Sequence, residues 1–249
     1  MFNARFSIKA TAEKEAMDPK LISKLAKFSA LSPESEHALR DALTYTRFVA
    51  PRTGPLPDTS ASDDTLVILE GWAARYSLVR DGRRQITAFL LPGDHCRLSD
   101  GAQDTVAISP LTLSVIRADE RKELETAHPD LAEAMVAAEH HDRVRLCGLA
   151  TALGRLDAEQ RIAWTLCDLW QRADAIGMID DGHLRFPLTQ PDIADHTGLT
   201  PVHVNRMMRK LREEGLAEHK GQCLTIHDYA ALAAKSDYRS CRTGTSQLA

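Results

Sequence analysis

The stretch from Thr189 to Ile226 constrains the fold more than any other part of the sequence. Thr189 has the character of a helix N-cap, and residues 190–196 read as a short helix behind it. Thr197-Gly198-Leu199 leaves room only for a tight turn. Thr200 then caps a longer helix over 201–214, with Pro201 at its first position, where a missing N–H costs nothing. Gly215 ends that helix. Residues 216–219 and 223–226 flank Lys220-Gly221-Gln222 as a hairpin. Helix, three-residue turn with a central glycine, helix and hairpin together make a winged helix-turn-helix. Ile193, Ala194, Leu199, Val204, Met208 and Leu211 fall on the faces that must be buried.

The residues left outside suit double-stranded DNA. From Pro201 to Arg212 there are four cations, Arg206, Arg209, Lys210 and Arg212, and no acid; Glu213 and Glu214 come just after. In such a unit the second helix enters the major groove with its N-terminal residues toward base edges. Arg206 is the strongest base reader, because a guanidinium can bond guanine O6 and N7 together. Asn205 can pair with adenine or with a phosphate. Arg209, Lys210 and Lys220 are placed as phosphate clamps, which give affinity rather than sequence preference. A charge run alone reads as a solvated face; its position on the second helix of a bihelical unit turns it into a DNA contact. The net charge of −4 excludes a uniformly basic coat but leaves room for this local patch.

The remainder of the 249 residues has room for a second compact region. Residues 19–43 read as helical, broken at Pro33. From Thr65 the apolar period is two: 65–79 and 85–91 form strands around an Asp81-Gly82 turn, Pro92-Gly93-Asp94 turns again, and 106–116 alternates. This makes 46–118 an antiparallel β block. From Asp119 the chain is helical, and a long helix runs from Pro129 to about 156. Leu131, Met135, Ala138, Arg145, Leu149 and Ala152 share one stripe of it, which suggests the seam of a parallel homodimer with register set by Arg145 and the polar residues 140–143. Asp157 caps a further helix over 158–173. The expected division is a flexible arm (1–17), a β-roll sensor-like domain (18–128), a dimerisation helix (129–156), a winged helix-turn-helix domain (157–233) and a polar tail (234–249), an α+β fold.

Five cysteines, 96, 147, 167, 223 and 241, form no C-x-x-C pair, so zinc ribbons and disulfide scaffolds are not expected and reduced thiols in the cytoplasm are. No apolar run approaches the roughly 18 residues of a membrane span. Residues 1–18 lack the apolar core of a signal peptide. His140 and His141 point about 100° apart on a helix and do not chelate together, so no metal site is expected.

The run from Thr65 to Leu232 resembles the cyclic-AMP-receptor/fumarate-nitrate-regulator family of bacterial transcription factors. ILEGWAARY, DGRRQITAFLLPGD, LDAEQRIAWTLCDL and LTQPDIADHTGLTPVHVNRMMRKLREEGL carry the likeness in order and spacing. It implies an N-terminal β-roll of cyclic-nucleotide-binding, cupin-like jelly-roll type, a long dimerisation helix and a C-terminal winged helix, acting as a homodimer on a pseudo-palindromic operator. It implies that Val202, Asn205 and Arg206 point to bases and that Thr189, Thr200, His203, Arg209 and Lys220 touch the DNA backbone. Val202 stands where many members carry Glu. RNA polymerase is a candidate partner; a membrane is not.

The sensor cassette of the nucleotide-binding members is missing. After the PGD turn the chain reads HCRLSDGAQDTVAIS, with no Glu for a ribose and no Arg before a hydroxyl residue for a phosphate. Leu146 and Cys147 stand where two hydroxyl residues would contact the base. A buried phosphate without its cation is costly, so control by cyclic AMP is not expected. Residues 1–50 hold no cysteine for an iron–sulfur cluster. The alternative is a sensor whose β-roll ligand gates DNA binding through the region of His95, Cys96, Leu146 and Cys147: haem on His95-Cys96, a thiol redox signal, or another small molecule. No cofactor is assigned. A cupin-like enzyme would need several His and carboxylate ligands on neighbouring strands, and the β block offers only His95, so catalysis is not expected.

Overall fold

The computed structural model describes residues 20–56, 63–98 and 103–239, so the expected arm at 1–17 lies outside the described residues. The chain divides into two compact units. One runs to Tyr76 and resumes over Phe89–Glu139; the other combines Ser77–Ala88 with everything from His140 onward.

The first unit opens with α1 (Lys20–Leu25) and α2 (Pro33–Ala42), separated at Pro33 as the sequence predicts. Ser32 caps α2, accepting from the Ser35 N–H. Among the described residues seven strands follow: β1 (Thr46–Val49), β2 (Thr65–Glu70), β3 (Ala73–Leu78), β4 (Arg84–Leu90), β5 (His95–Arg97), β6 (Asp104–Ala107) and β7 (Leu111–Ile116), of which the end of β3 and the start of β4 fall in the Ser77–Ala88 segment counted with the second unit. They form two antiparallel sheets, in the orders β1-β7-β2-β5 and β4-β3-β6. The run 65–79 is two strands rather than one. Gly71 breaks it at φ +83°, and a Cβ there would lie 2.1 Å from the Pro110 carbonyl oxygen, so only glycine fits. The run 106–116 is likewise broken, where Ser109 turns its hydroxyl to accept the Trp72 N–H at 2.9 Å. The unit closes with α3 (Ala118–Ala127) and the first half of α4 (Pro129–Arg155).

The stripe expected as a dimer seam is buried within the chain. Leu131, Met135 and Ala138 join the core with Leu21, Ile22, Leu25 and Leu39. Leu149 and Ala152 are also buried. Arg145 folds onto Asp168 of its own chain, Nε to Oδ1 and Nη2 to Oδ2 each at 3.0 Å. The long helix carries two faces, and the more continuous apolar one is spent on its own domains. The other face stays exposed at Val136, His140, Arg143, Cys147, Ala150 and Gly154, spaced alternately by four and three, with Val144 and Leu146 beside it.

The second unit continues α4 from His140 and adds α5 (Ala158–Ala175), β8 (Ile179–Asp180), β9 (His183–Arg185), α6 (Gln190–Thr197), α7 (Pro201–Glu213), β10 (Ala217–Lys220), β11 (Cys223–Ile226) and α8 (Tyr229–Lys235). Asp157 and Gln160 form a capping box on α5. The sheet order is β10-β11-β9-β8. Ile162, Leu166, Leu184, Phe186, Ile193, Val204, Leu211, Leu224 and Leu232 are all fully buried and form its interior. Residues 234–239, assigned by composition to a polar tail, continue this fold. Ser236 is buried and donates to the Leu232 carbonyl, and the Tyr238 hydroxyl donates to Gln171 Oε1 at 2.7 Å.

Candidate nucleic-acid interface

The interface is built outward from two helix caps. Thr189 caps α6, and Asp192 completes a capping box: its Oδ2 accepts the Thr189 N–H at 2.8 Å and the Thr189 hydroxyl at 2.6 Å. Gly198 ends α6 in the left-handed region at φ +67°, which lets the chain reverse within three residues. Thr200 then caps α7, accepting from the His203 N–H.

Val204 and Leu211, seven residues apart, are fully buried and fasten α7 by one face. Val202, Asn205, Arg206 and Arg209 occupy the opposite, exposed face. Val202 is 82% exposed, a large apolar side chain with no role in the core. The Arg206 guanidinium lies 3.0 Å from His203 Nε2, one helical turn back on the same face. Arg209 lies 3.5 Å from Glu213, an exposed pair that water screens. Lys220 is exposed at the β10–β11 turn.

Besides His203 and Arg209, two further residues assigned to the DNA backbone have partners within the protein. Lys210 pairs with Glu159, which Lys235 also holds at 2.6 Å, while Lys235 reaches Glu214 at 2.7 Å. Burial pushes the Glu159 carboxyl up, but the two lysines outweigh it and hold it below the usual range. This cluster ties α5, α7 and α8 together and draws the Lys210 ammonium to the structural side of α7. Thr189 gives both its hydrogens to Asp192, so its hydroxyl has none to offer a phosphate while the cap stands. The TxxD spacing at 189–192 signals that cap in the sequence. The Glu159 cluster, like Arg145 on Asp168, joins residues too far apart in the chain to be read from spacing.

The suggested effector region is split between the units: His95 and Cys96 lie in the first, Leu146 and Cys147 in the second. His95 is buried on β5, and Cys96 beside it is half-buried. Adjacent strand residues point to opposite faces, so this pair does not fit as two ligands to one haem iron. Leu146 and Cys147 are exposed on α4. Residues 99–102, part of the stretch where the nucleotide cassette is missing, lie outside the described residues. Among the described residues no cluster of three or more His, Cys, Asp or Glu side chains could hold a metal, and no helix is long and apolar enough to cross a membrane.

Residues 160–235 match the model of the Crp-like helix-turn-helix domain. The chain is 30% identical over 159 residues to the nitrogen fixation regulation protein FixK of Rhizobium meliloti, covering 62% of this chain and 69% of that protein. It is 28% identical over 179 residues to FixK of Azorhizobium caulinodans, covering 70% and 72%. The fold is similar to the solved structure of FixK2 from Bradyrhizobium japonicum, with a TM-score of 0.69 and 22% identity, over 78% of this chain and 98% of that one.

Proposed function

The chain belongs to the Crp/Fnr family of transcription regulators, and from that premise we propose that it works as a cytoplasmic homodimer on a pseudo-palindromic operator, without catalysis and without cyclic AMP. It is a DNA-binding regulator; the observation that carries the finer reading is the exposed face of α7. Val202, Asn205 and Arg206 make no contribution to the core, and a helix of this size enters a major groove with such residues toward base edges. Val202 offers a thymine methyl an apolar contact where a carboxylate would ask for a cytosine amine. His203, Arg209 and Lys220 serve the phosphates; Lys210 and the Thr189 hydroxyl do so only by leaving their present partners. The exposed stripe of α4, from Val136 to Gly154, supports a second copy as the occupant, because its spacing of alternating threes and fours is that of a coiled-coil seam. RNA polymerase is the partner through which such a regulator would act.

Mobility shift of the full chain on duplex DNA at several salt concentrations tests this reading. Wild type binds with an affinity that falls steeply with salt. The joint substitution Arg206→Ala, Arg209→Ala keeps the melting temperature and loses most of the binding. Equal binding by wild type and the double variant would contradict the role given to α7.

A further inference from the structure

Three consecutive residues of the segment Ser77–Ala88 grip α6 from outside the recognition surface. Arg84 Nε donates to Asp195 Oδ2 at 2.8 Å, and its Nη2 lies 2.8 Å from the same oxygen and 3.4 Å from Asp192 Oδ1. Gln85 Nε2 donates to the His196 carbonyl at 3.0 Å. His196 Nδ1 donates to the Ile86 carbonyl at 3.1 Å, with both residues buried.

The planar guanidinium of Arg84 spans two carboxylates one helical turn apart. Those carboxylates do different work. Asp192, 1% exposed, turns its other oxygen to the Thr189 N–H and hydroxyl, so one line of charge-assisted bonds runs from Arg84 through Asp192 to the cap of α6. Asp195 lies in the last turn, where the helix dipole disfavours an anion, and it shares a helix face with Asp192. Without Arg84 the two acids would repel each other. α6 in turn bears on α7, because the two helices pack against each other and are linked through the Gly198 turn, where the Leu199 N–H returns to the Ala194 carbonyl.

We propose that Arg84 is a positioning residue for DNA recognition: by clamping Asp192 and Asp195 it fixes the orientation of α6 and, through the Gly198 turn, the angle at which α7 meets base edges. The inference rests on the DNA-reading role given to α7. Arg84 itself touches no DNA, since its charge is spent on two carboxylates.

The test uses the full chain and two probes: the duplex that wild type enriches most from a randomised library, and an unrelated mixed-sequence duplex. Arg84→Ala should weaken binding to the enriched duplex by about 5–150-fold, the range typical of coupling between separate sites. Binding to the unrelated duplex and the salt slope should stay as in wild type, well below the melting temperature. Arg84→Lys should recover only part of the loss, because an ammonium cannot span both carboxylates. Equal loss on both duplexes with a slope lower by about one would make Arg84 a phosphate contact and overturn the proposal. Unchanged or tighter binding by Arg84→Ala would overturn it too. Wild type enriching no duplex at all would remove the DNA reading of α7 itself, and this inference with it.

Discussion

In the proposed reading, Arg206 and Lys220 divide the work of recognition between reading and holding. Arg206 stands free of the core on α7, steadied by His203, and can turn its fork to a guanine. Arg206→Ala should lose about 1–3 kcal/mol of discrimination at one base position. Lys220→Ala should weaken all sequences alike and lower the salt slope by about one. Competition binding against single-base variants of a selected duplex separates the two outcomes. His196 gives a second residue-scale prediction. Burial pushes its pKa down to about 4, outweighing the Ile86 carbonyl bond and the nearby Asp168. The unfolded imidazole takes a proton near pH 6.5 and the folded one only near pH 4, so stability is full above pH 6.5 and is lost as pH falls toward 4. His219, also lowered by burial, adds with the same sign. The His196 share is on the order of 3 kcal/mol. Urea midpoints between pH 7 and 4 should fall, and the fall should be shallower in His196→Gln. The exposed basic face of α7 that carries Arg206 was legible in the sequence, because four cations without an acid mark a helix face. His196 was not, because its partner Ile86 lies 110 residues away and no spacing rule reaches that far.

At the scale of elements, α4 shows where pattern reading stops. Its length and its start at Pro129 were readable from composition and capping. Which face meets which partner was not: hydrophobic periodicity reports that a face is buried, never against whom. Leu131 and Met135 turned out to close their own β unit, and Arg145 to hold the buried Asp168 carboxylate. Leu131→Ala should therefore cost about 2–5 kcal/mol of folding stability and leave the association state unchanged. Ala150→Glu, on the exposed stripe, should do the opposite, introducing a charge into the proposed seam with little effect on monomer unfolding. Sedimentation equilibrium beside thermal melts of both variants checks the assignment; reversed outcomes would restore the original seam. The winged helix-turn-helix was the most readable element of all. Its caps at Thr189 and Thr200 and its Gly198 turn are local chemistry, each fixed within four residues of sequence.

At the scale of the whole molecule, the chain keeps the family architecture, and we propose that it does so without a cyclic-nucleotide cradle, since the sequence after the PGD turn offers neither a Glu for a ribose nor an Arg before a hydroxyl residue for a phosphate. Each charge-assisted bond missing from a phosphate cradle forfeits about 1.5–3 kcal/mol. Calorimetry with cyclic AMP and cyclic GMP should give no saturable heat up to millimolar concentration, and DNA affinity should not respond to either. A saturable micromolar isotherm would mean that a cradle exists elsewhere in the β unit. The most direct test of the account is selection of the full chain on a randomised duplex library, followed by sequencing. Two identical α7 helices related by a two-fold axis should enrich an inverted repeat with half-site centres about 10 base pairs apart. An enriched site without two-fold symmetry, or no enrichment over the starting library, would contradict it.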